Sequence, residues 1–324
     1  MIGERVGQRA AGSFCFSFPN QGWVGITHIG CRWWERRVFF GGNVEYKSFY
    51  KSVGGNEGEQ CKYSTRLDTY GCGCSHDCSY CYAKSLLSFR GLWNPSDPAS
   101  ADIEKIRRKV KRIPKKTIRL GGMTDCFQPV EKTRRVTYEK LKALNENGVP
   151  YLIVTKSPMV ADPEYLDVLD KNLAHIQFTL TFTDDERHKE TGIEKAPLPT
   201  ERIKAIEKLQ ANGYDVAIRL SPYIPEFIDI DKLNRIQCDK VLVEFLRVNH
   251  WIRKWLGDKC DLSGYTRVFH GYSHLPFEKK LELVERIGKT HTVTVCDFEP
   301  EYLHFWKKQW NPNPDDCCNL RAVN

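Results

Sequence analysis

The chain has 324 residues, 41% of them hydrophobic and 12% aromatic, enough to bury one large core or two modest ones. Its formal net charge of +8, from 49 basic against 41 acidic residues, permits an anionic partner without demanding one. No apolar run approaches the roughly 20 residues needed to cross a bilayer, and Met1-Ile2-Gly3-Glu4-Arg5 lacks the charged-then-apolar order of a secretory signal, so a cytoplasmic protein with no membrane partner is expected.

Residues 1–44 are Gly-rich, carry Trp23, Trp33, Trp34, Cys15 and Cys31, and show no repeat; they are expected to form an extension apart from the main fold. From Tyr46 onward, short β-branched runs alternate with stretches of helical spacing. Strands are expected at 64–69, 117–121, 151–155, 176–182, 215–220, 240–246 and 292–296. Helices are expected at 101–112, 138–147, 163–170, 201–211 and 278–287. The alternation predicts an α/β protein, a partial or full parallel (β/α) barrel with active-site loops at the C-terminal strand ends. Its core would span 45–250, and 251–324 would complete the barrel and extend its substrate side irregularly, the turn-rich 311–318 included.

Cysteine usage carries the chemistry. Four of the 13 cysteines fall within residues 72–81, a clustering that suits metal in a reducing compartment better than dispersed disulfides. Cys74, Cys78 and Cys81 stand at C-x3-C-x2-C spacing, and thiolates so spaced on one loop can reach three corners of an iron–sulfur cubane, leaving one iron open. Adding Cys72 gives four neighbouring thiols that could instead hold structural zinc, although C-x-C run into C-x3-C is not the usual pair of separated zinc knuckles.

The loop, with Tyr80-Cys81-Tyr82, resembles the radical S-adenosylmethionine (SAM) superfamily, and more narrowly its spore photoproduct lyase-like branch. The resemblance continues in family order over roughly residues 62–226: Gly121-Gly122-Met123-Thr124-Asp125, Val154-Thr155-Lys156-Ser157, Phe178-Thr179-Leu180-Thr181, Glu194-Lys195-Ala196-Pro197 with Arg202, and Arg219-Leu220-Ser221-Pro222. It implies a 4Fe-4S cluster on Cys74, Cys78 and Cys81, SAM as co-substrate, and a reductase such as flavodoxin or ferredoxin. It also implies SAM contacts at Gly121, Gly122, Thr124, Asp125, Lys156, Ser157, Thr179, Thr181, Arg219 and Ser221. The residue types suit those roles: glycines admit close backbone approach, Lys156 can neutralise a carboxylate, and Thr179, Thr181 and Ser221 can hydrogen-bond a ribose.

The chain departs from the lyase at Met123, where the lyase has a hydrogen-donating cysteine; Cys126 is the candidate replacement, and Tyr80 and Tyr82 match the lyase's radical relay. The same dimer-cleaving reaction is therefore not expected, whereas repair or modification of a DNA or RNA base is. Glu244, Arg247 and Asn249, at an expected strand end, are candidate substrate contacts, and Cys296, Cys317 and Cys318 could meet as an auxiliary metal site, a hydrogen donor or a redox pair. The basic run 105–116 and Trp251, Trp255, Trp306 and Trp310 are candidate nucleic-acid contacts. Modification of a peptide or metabolite, and a non-catalytic zinc-stabilised nucleic-acid-binding module, are the alternatives.

Overall fold

The computed structural model describes residues 47–51 and 61–322. Of the two compact units into which the chain divides, Met1–Phe39 and Phe40–Asn324, the first lies outside the described residues, as does the expectation placed on 1–44.

Eight strands form one sheet whose spatial order is their chain order: β1 (Phe49–Lys51), β2 (Thr65–Leu67), β3 (Ile118–Leu120), β4 (Tyr151–Thr155), β5 (Ala174–Thr179), β6 (Asp215–Tyr223), β7 (Lys240–Phe245) and β8 (Thr292–Val295). β1 pairs antiparallel with β2, and every later neighbour pairs in parallel. Among the described residues no pairing joins β8 to β1. The sheet is thus a curved, open barrel of the partial kind. β8, beyond residue 250, lies beside β7 in unbroken register from Thr292 opposite Lys240 to Val295 opposite Val243.

Strand alternation sorts the core into two faces. Leu120, Ile153, Ile176, Phe178, Ile218, Val241, Val243 and Val295 join the large apolar cluster beneath the helices. The opposite face carries Arg66 and Arg119, which are in register, then Leu152, Gln177, Arg219, Leu242 and Glu244. A row of charges on the concave side is what a binding barrel needs and a purely structural core avoids.

The helices follow from local signals. α1 (Tyr82–Phe89) leaves the cysteine loop directly, and its N-cap is Cys81 itself, whose sulfur accepts from the Lys84 N–H at 3.5 Å. α2 (Ile103–Val110) is capped by Asp102, which accepts from the Glu104 and Lys105 N–H groups. α3 (Val136–Glu146), α4 (Pro199–Ala211), α5 (His250–Leu256) and α6 (Phe277–Ile287) then cover the sheet. α4 starts at a proline, with the Glu201 carboxylate accepting from the Leu198 N–H at 2.9 Å. The helix expected at 163–170 shrinks to Pro163–Leu166, because the Tyr151 hydroxyl takes up the Asp170 N–H and a turn follows. No helix among the described residues is long and apolar enough to cross a membrane.

Candidate active site

One cavity opens at the C-terminal ends of β3 to β7, the face where the loops of a parallel barrel gather. One wall is the cysteine loop. The Gly73 backbone packs against the Asn94 carbonyl, leaving no room for a Cβ. The Ser75 N–H and hydroxyl both reach the Gln128 side chain, at 2.9 and 3.2 Å. The Ser79 N–H donates to the Ile193 carbonyl at 2.7 Å, and the Lys195 N–H to the His76 carbonyl at 2.7 Å. Thus clamped, Cys74, Cys78 and Cys81 all face the cavity, close enough to feel one another's charge, and burial pushes each thiol up. Cys72 does not line it.

The floor is the turn after β3. Gly121 has φ +83°, and a Cβ there would lie 2.7 Å from the Val154 carbonyl oxygen. The Asp68 carboxylate, at the end of β2, accepts from the Gly122 and Met123 N–H groups at 2.6 and 2.9 Å, so the turn's shape is held from the neighbouring strand. Tyr82 donates to the Gly122 carbonyl at 2.5 Å. Asp125 ties three pieces together: it accepts from the Thr155 hydroxyl and from the Phe127 and Lys156 N–H groups, and lies 3.2 Å from His76 of the cysteine loop. Burial opposes its charge, yet His76 and those N–H groups hold it below the usual carboxylate range.

Lys156 stands at the end of β4 beside the cysteines. Its ammonium is 3.3 Å from the Thr181 hydroxyl and 3.6 Å from Glu194, and burial pushes it down to about 8. Glu194 is fully buried and gathers Arg202, Tyr80 and Lys156. At the far wall, Arg219 donates to Gln177 at 2.8 Å and to Glu244 at 2.6 Å, and the Ser221 hydroxyl donates to Glu244 at 2.8 Å. Burial works against the Glu244 charge, but Arg219, Arg247 and Arg119 outweigh it and hold the carboxyl down to about 2. Arg247 lies 5.8 Å from the Tyr82 and Tyr272 ring centroids and 4.5 Å from that of Phe298.

The cavity therefore brings together Cys74, Cys78, Cys81, Tyr80, Tyr82, Gly121, Gly122, Thr124, Asp125, Lys156, Thr179, Arg219, Ser221, Glu244 and Arg247. Four anticipated residues do not reach its wall. Cys126 is fully buried in the apolar core, its carbonyl accepting from Thr137 at 2.5 Å, so it offers no thiol to the cavity. Ser157 is turned to cap the following 3-10 turn, accepting from the Met159 N–H. Thr181 sits behind Lys156 against the Tyr80 hydroxyl at 3.0 Å. Asn249 caps α5, accepting from the Ile252 N–H at 2.9 Å, with its amide on Ser85. Tyr80 meets the cavity with its ring, but its hydroxyl is taken by Glu194 and Thr181. Of the basic run, Arg107 pairs with Glu104 and Glu139 on the outer surface, and no residue of 105–116 lines the cavity. Trp306 belongs to the core, donating to Asp297 at 3.1 Å.

Asp68, Arg119 and Tyr272 were not anticipated. Asp68 falls inside the strand expected at 64–69 and reads there as an ordinary strand-end charge, Arg119 sits inside a strand where a lone arginine reads as solvated, and Tyr272 lies in the hairpin Arg267–Phe269/Tyr272–His274, which has no strong alternation.

The Radical SAM superfamily is matched over residues 69–232, half of the 324-residue chain, and the chain belongs to that superfamily. Members of that superfamily work with a 4Fe-4S cluster and SAM. An uncharacterized protein of Methanocaldococcus jannaschii is 28% identical over 162 residues, covering 49% of this chain and 60% of that protein. One from Mycobacterium tuberculosis is 26% identical over 170 residues, covering 48% and 49%. The chain thus spans about half to three fifths of the curated relatives it matches. In solved structures, spore photoproduct lyase complexed with dinucleoside spore photoproduct has TM-score 0.51 at 14% identity, covering 70% of this chain and 73% of that one. A point variant of the lyase reaches 0.54 at 14% identity, covering 72% and 76%. These neighbours share the fold.

The residues fit the family's cofactors. Three thiols on one loop, Cys74 and Cys78 buried and Cys81 half-buried, face a cavity that also holds a glycine turn and a lysine, the donor set for a cluster with one open iron and an amino-acid ligand.

Proposed function

We propose that this enzyme uses Cys74, Cys78 and Cys81 as cluster ligands and abstracts hydrogen from a nucleic-acid base held against Arg247, Tyr82 and Tyr272. When bound, cluster and SAM supply a 5′-deoxyadenosyl radical by one-electron cleavage of the sulfonium, with the electron from a flavodoxin- or ferredoxin-type reductase. The chain's own residues orient the reactants. The Gly121-Gly122 turn, braced by Asp68, gives backbone access, and Lys156 faces the carboxylate of SAM. Thr179 and Ser221 offer hydroxyls to its ribose.

The observation that carries the base assignment is the composition of the far wall. Arg247 presents a flat guanidinium among the Tyr82, Tyr272 and Phe298 rings, and Glu244 supplies an ionised acceptor beside it. Planar cationic and aromatic surfaces stack unpaired bases, and a carboxylate accepts from exocyclic amino groups. Anaerobic 5′-deoxyadenosine formation, measured with single-stranded DNA, RNA or peptide added, tests this. Stimulation by a nucleic acid, reduced tenfold or more in Arg247→Ala, is expected; stimulation by peptide alone would overturn the assignment.

A further inference from the structure

Behind the far wall lies a second pocket that shares Arg119, Arg219, Glu244 and Arg247 with the first. Four cysteines line it: Cys61, Cys296, Cys317 and Cys318. They arrive from three separate parts of the chain. Cys61 precedes β2, Cys296 follows β8, and Cys317 and Cys318 belong to the C-terminal tail. All four pack in one small cluster with Tyr63, Leu152 and Leu242 on the concave face of the sheet.

We propose that these four thiols are the ligands of a second iron–sulfur cluster. Their convergence is the first argument. Cys317 lies near enough to both Cys296 and Cys318 to feel their charges, as Cys61 does to Cys318. The construction of the tail is the second. Asp316 is buried, accepts from the Tyr63 hydroxyl at 2.6 Å, and takes the Cys318 N–H at 3.0 Å, so one carboxylate binds the paired cysteines to the segment that carries Cys61. Asn319 at φ +48° completes the turn, and the Cys318 carbonyl accepts from Gln177 of β5 at 3.5 Å. Charge is the third. The pocket wall carries Arg119, Arg219, Arg247 and Lys307 against Glu244 and Asp297, a cationic excess around the four thiols. Four thiolates on a cluster form an anionic centre, which that excess would neutralise.

A single zinc ion is the competing occupant. It would draw its thiolates to within about 2.3 Å of one point. A cubane takes each thiolate at a separate corner.

The test is anaerobic reconstitution of the full chain with iron and sulfide, counting iron, zinc and labile sulfide, followed by electron paramagnetic resonance after dithionite reduction. Wild type should hold about eight irons, and Cys74→Ala/Cys78→Ala/Cys81→Ala about four, with a resonance of its own. Cys317→Ser/Cys318→Ser should hold about four and lose that resonance. A triple variant that binds no iron, or a tail site that fills with zinc, overturns the proposal. If the serine variant misfolds by circular dichroism, the triple variant, whose tail is intact, still decides. The readout is metal content and spectrum, so it stands apart from any failure to find the enzyme's substrate.

Discussion

Lys156 and Glu244 illustrate how a single side chain is set by what surrounds it. Lys156 is almost enclosed, yet Glu194 already answers to Arg202 and Tyr80, so replacing Lys156 leaves no buried carboxylate alone. Lys156→Met should therefore fold normally and weaken SAM binding about ten- to a hundredfold, the worth of one charged hydrogen bond at about 1.5–3 kcal/mol. Equilibrium dialysis of the reconstituted protein measures it, and unchanged affinity would remove Lys156 from the SAM site. Glu244 is the opposite case, since Arg219 and Ser221 both depend on it. Its carboxyl is held down from 4.5 to about 2, so its contribution to stability is complete above pH 4.5 and is lost as pH falls through about 2. Glu244→Gln should lower the urea midpoint near neutrality, and the gap to wild type should narrow as denaturation is repeated from pH 4.5 down towards pH 2.

At the scale of elements, the parallel strands were legible because each is a β-branched run bounded by turn residues, and all seven have their bounds within three residues of expectation. The Asp215–Tyr223 strand runs longer than expected because Tyr223 still pairs with Phe245 beyond an irregular step in the register. Less legible were Tyr82–Phe89 and His250–Leu256, whose starts are fixed by a cysteine and an asparagine cap that read in sequence as ligand and substrate contact. The turn between β3 and the chain that follows is the element on which most of the cavity floor depends. Gly121→Ala would place a Cβ against the Val154 carbonyl and force a side chain into positive φ, at a cost of about 1–3 kcal/mol. A lower melting temperature together with weakened SAM binding is expected, whereas loss of stability alone would separate the turn from the cofactor site.

For the whole molecule, the distribution of thiols decides what the reaction can do with hydrogen. The cysteine motif and the run of strand-end motifs placed most of the cavity in the sequence, since each sits on a parallel strand whose end must face the same side. What stayed hidden depended on tertiary contact: that Cys126 turns into the core, and that Cys61 joins the tail cysteines across more than two hundred residues. Among the residues lining the first cavity, the three loop cysteines are the only thiols, and Met123 lines its wall. A thiol donor exchanges its hydrogen with solvent, whereas a hydrogen returned from 5′-deoxyadenosine has come from substrate and has not. With the nucleic acid that stimulates SAM cleavage, turnover in deuterium oxide should therefore leave the product free of solvent deuterium. Met123→Cys should change that, because it places an exchangeable S–H on the cavity wall, and its product should carry one deuterium by mass spectrometry. Deuterium already present in the wild-type product would mean that a solvent-exchangeable donor reaches the radical by another route, and Tyr82, which lines the cavity, would be the first to substitute.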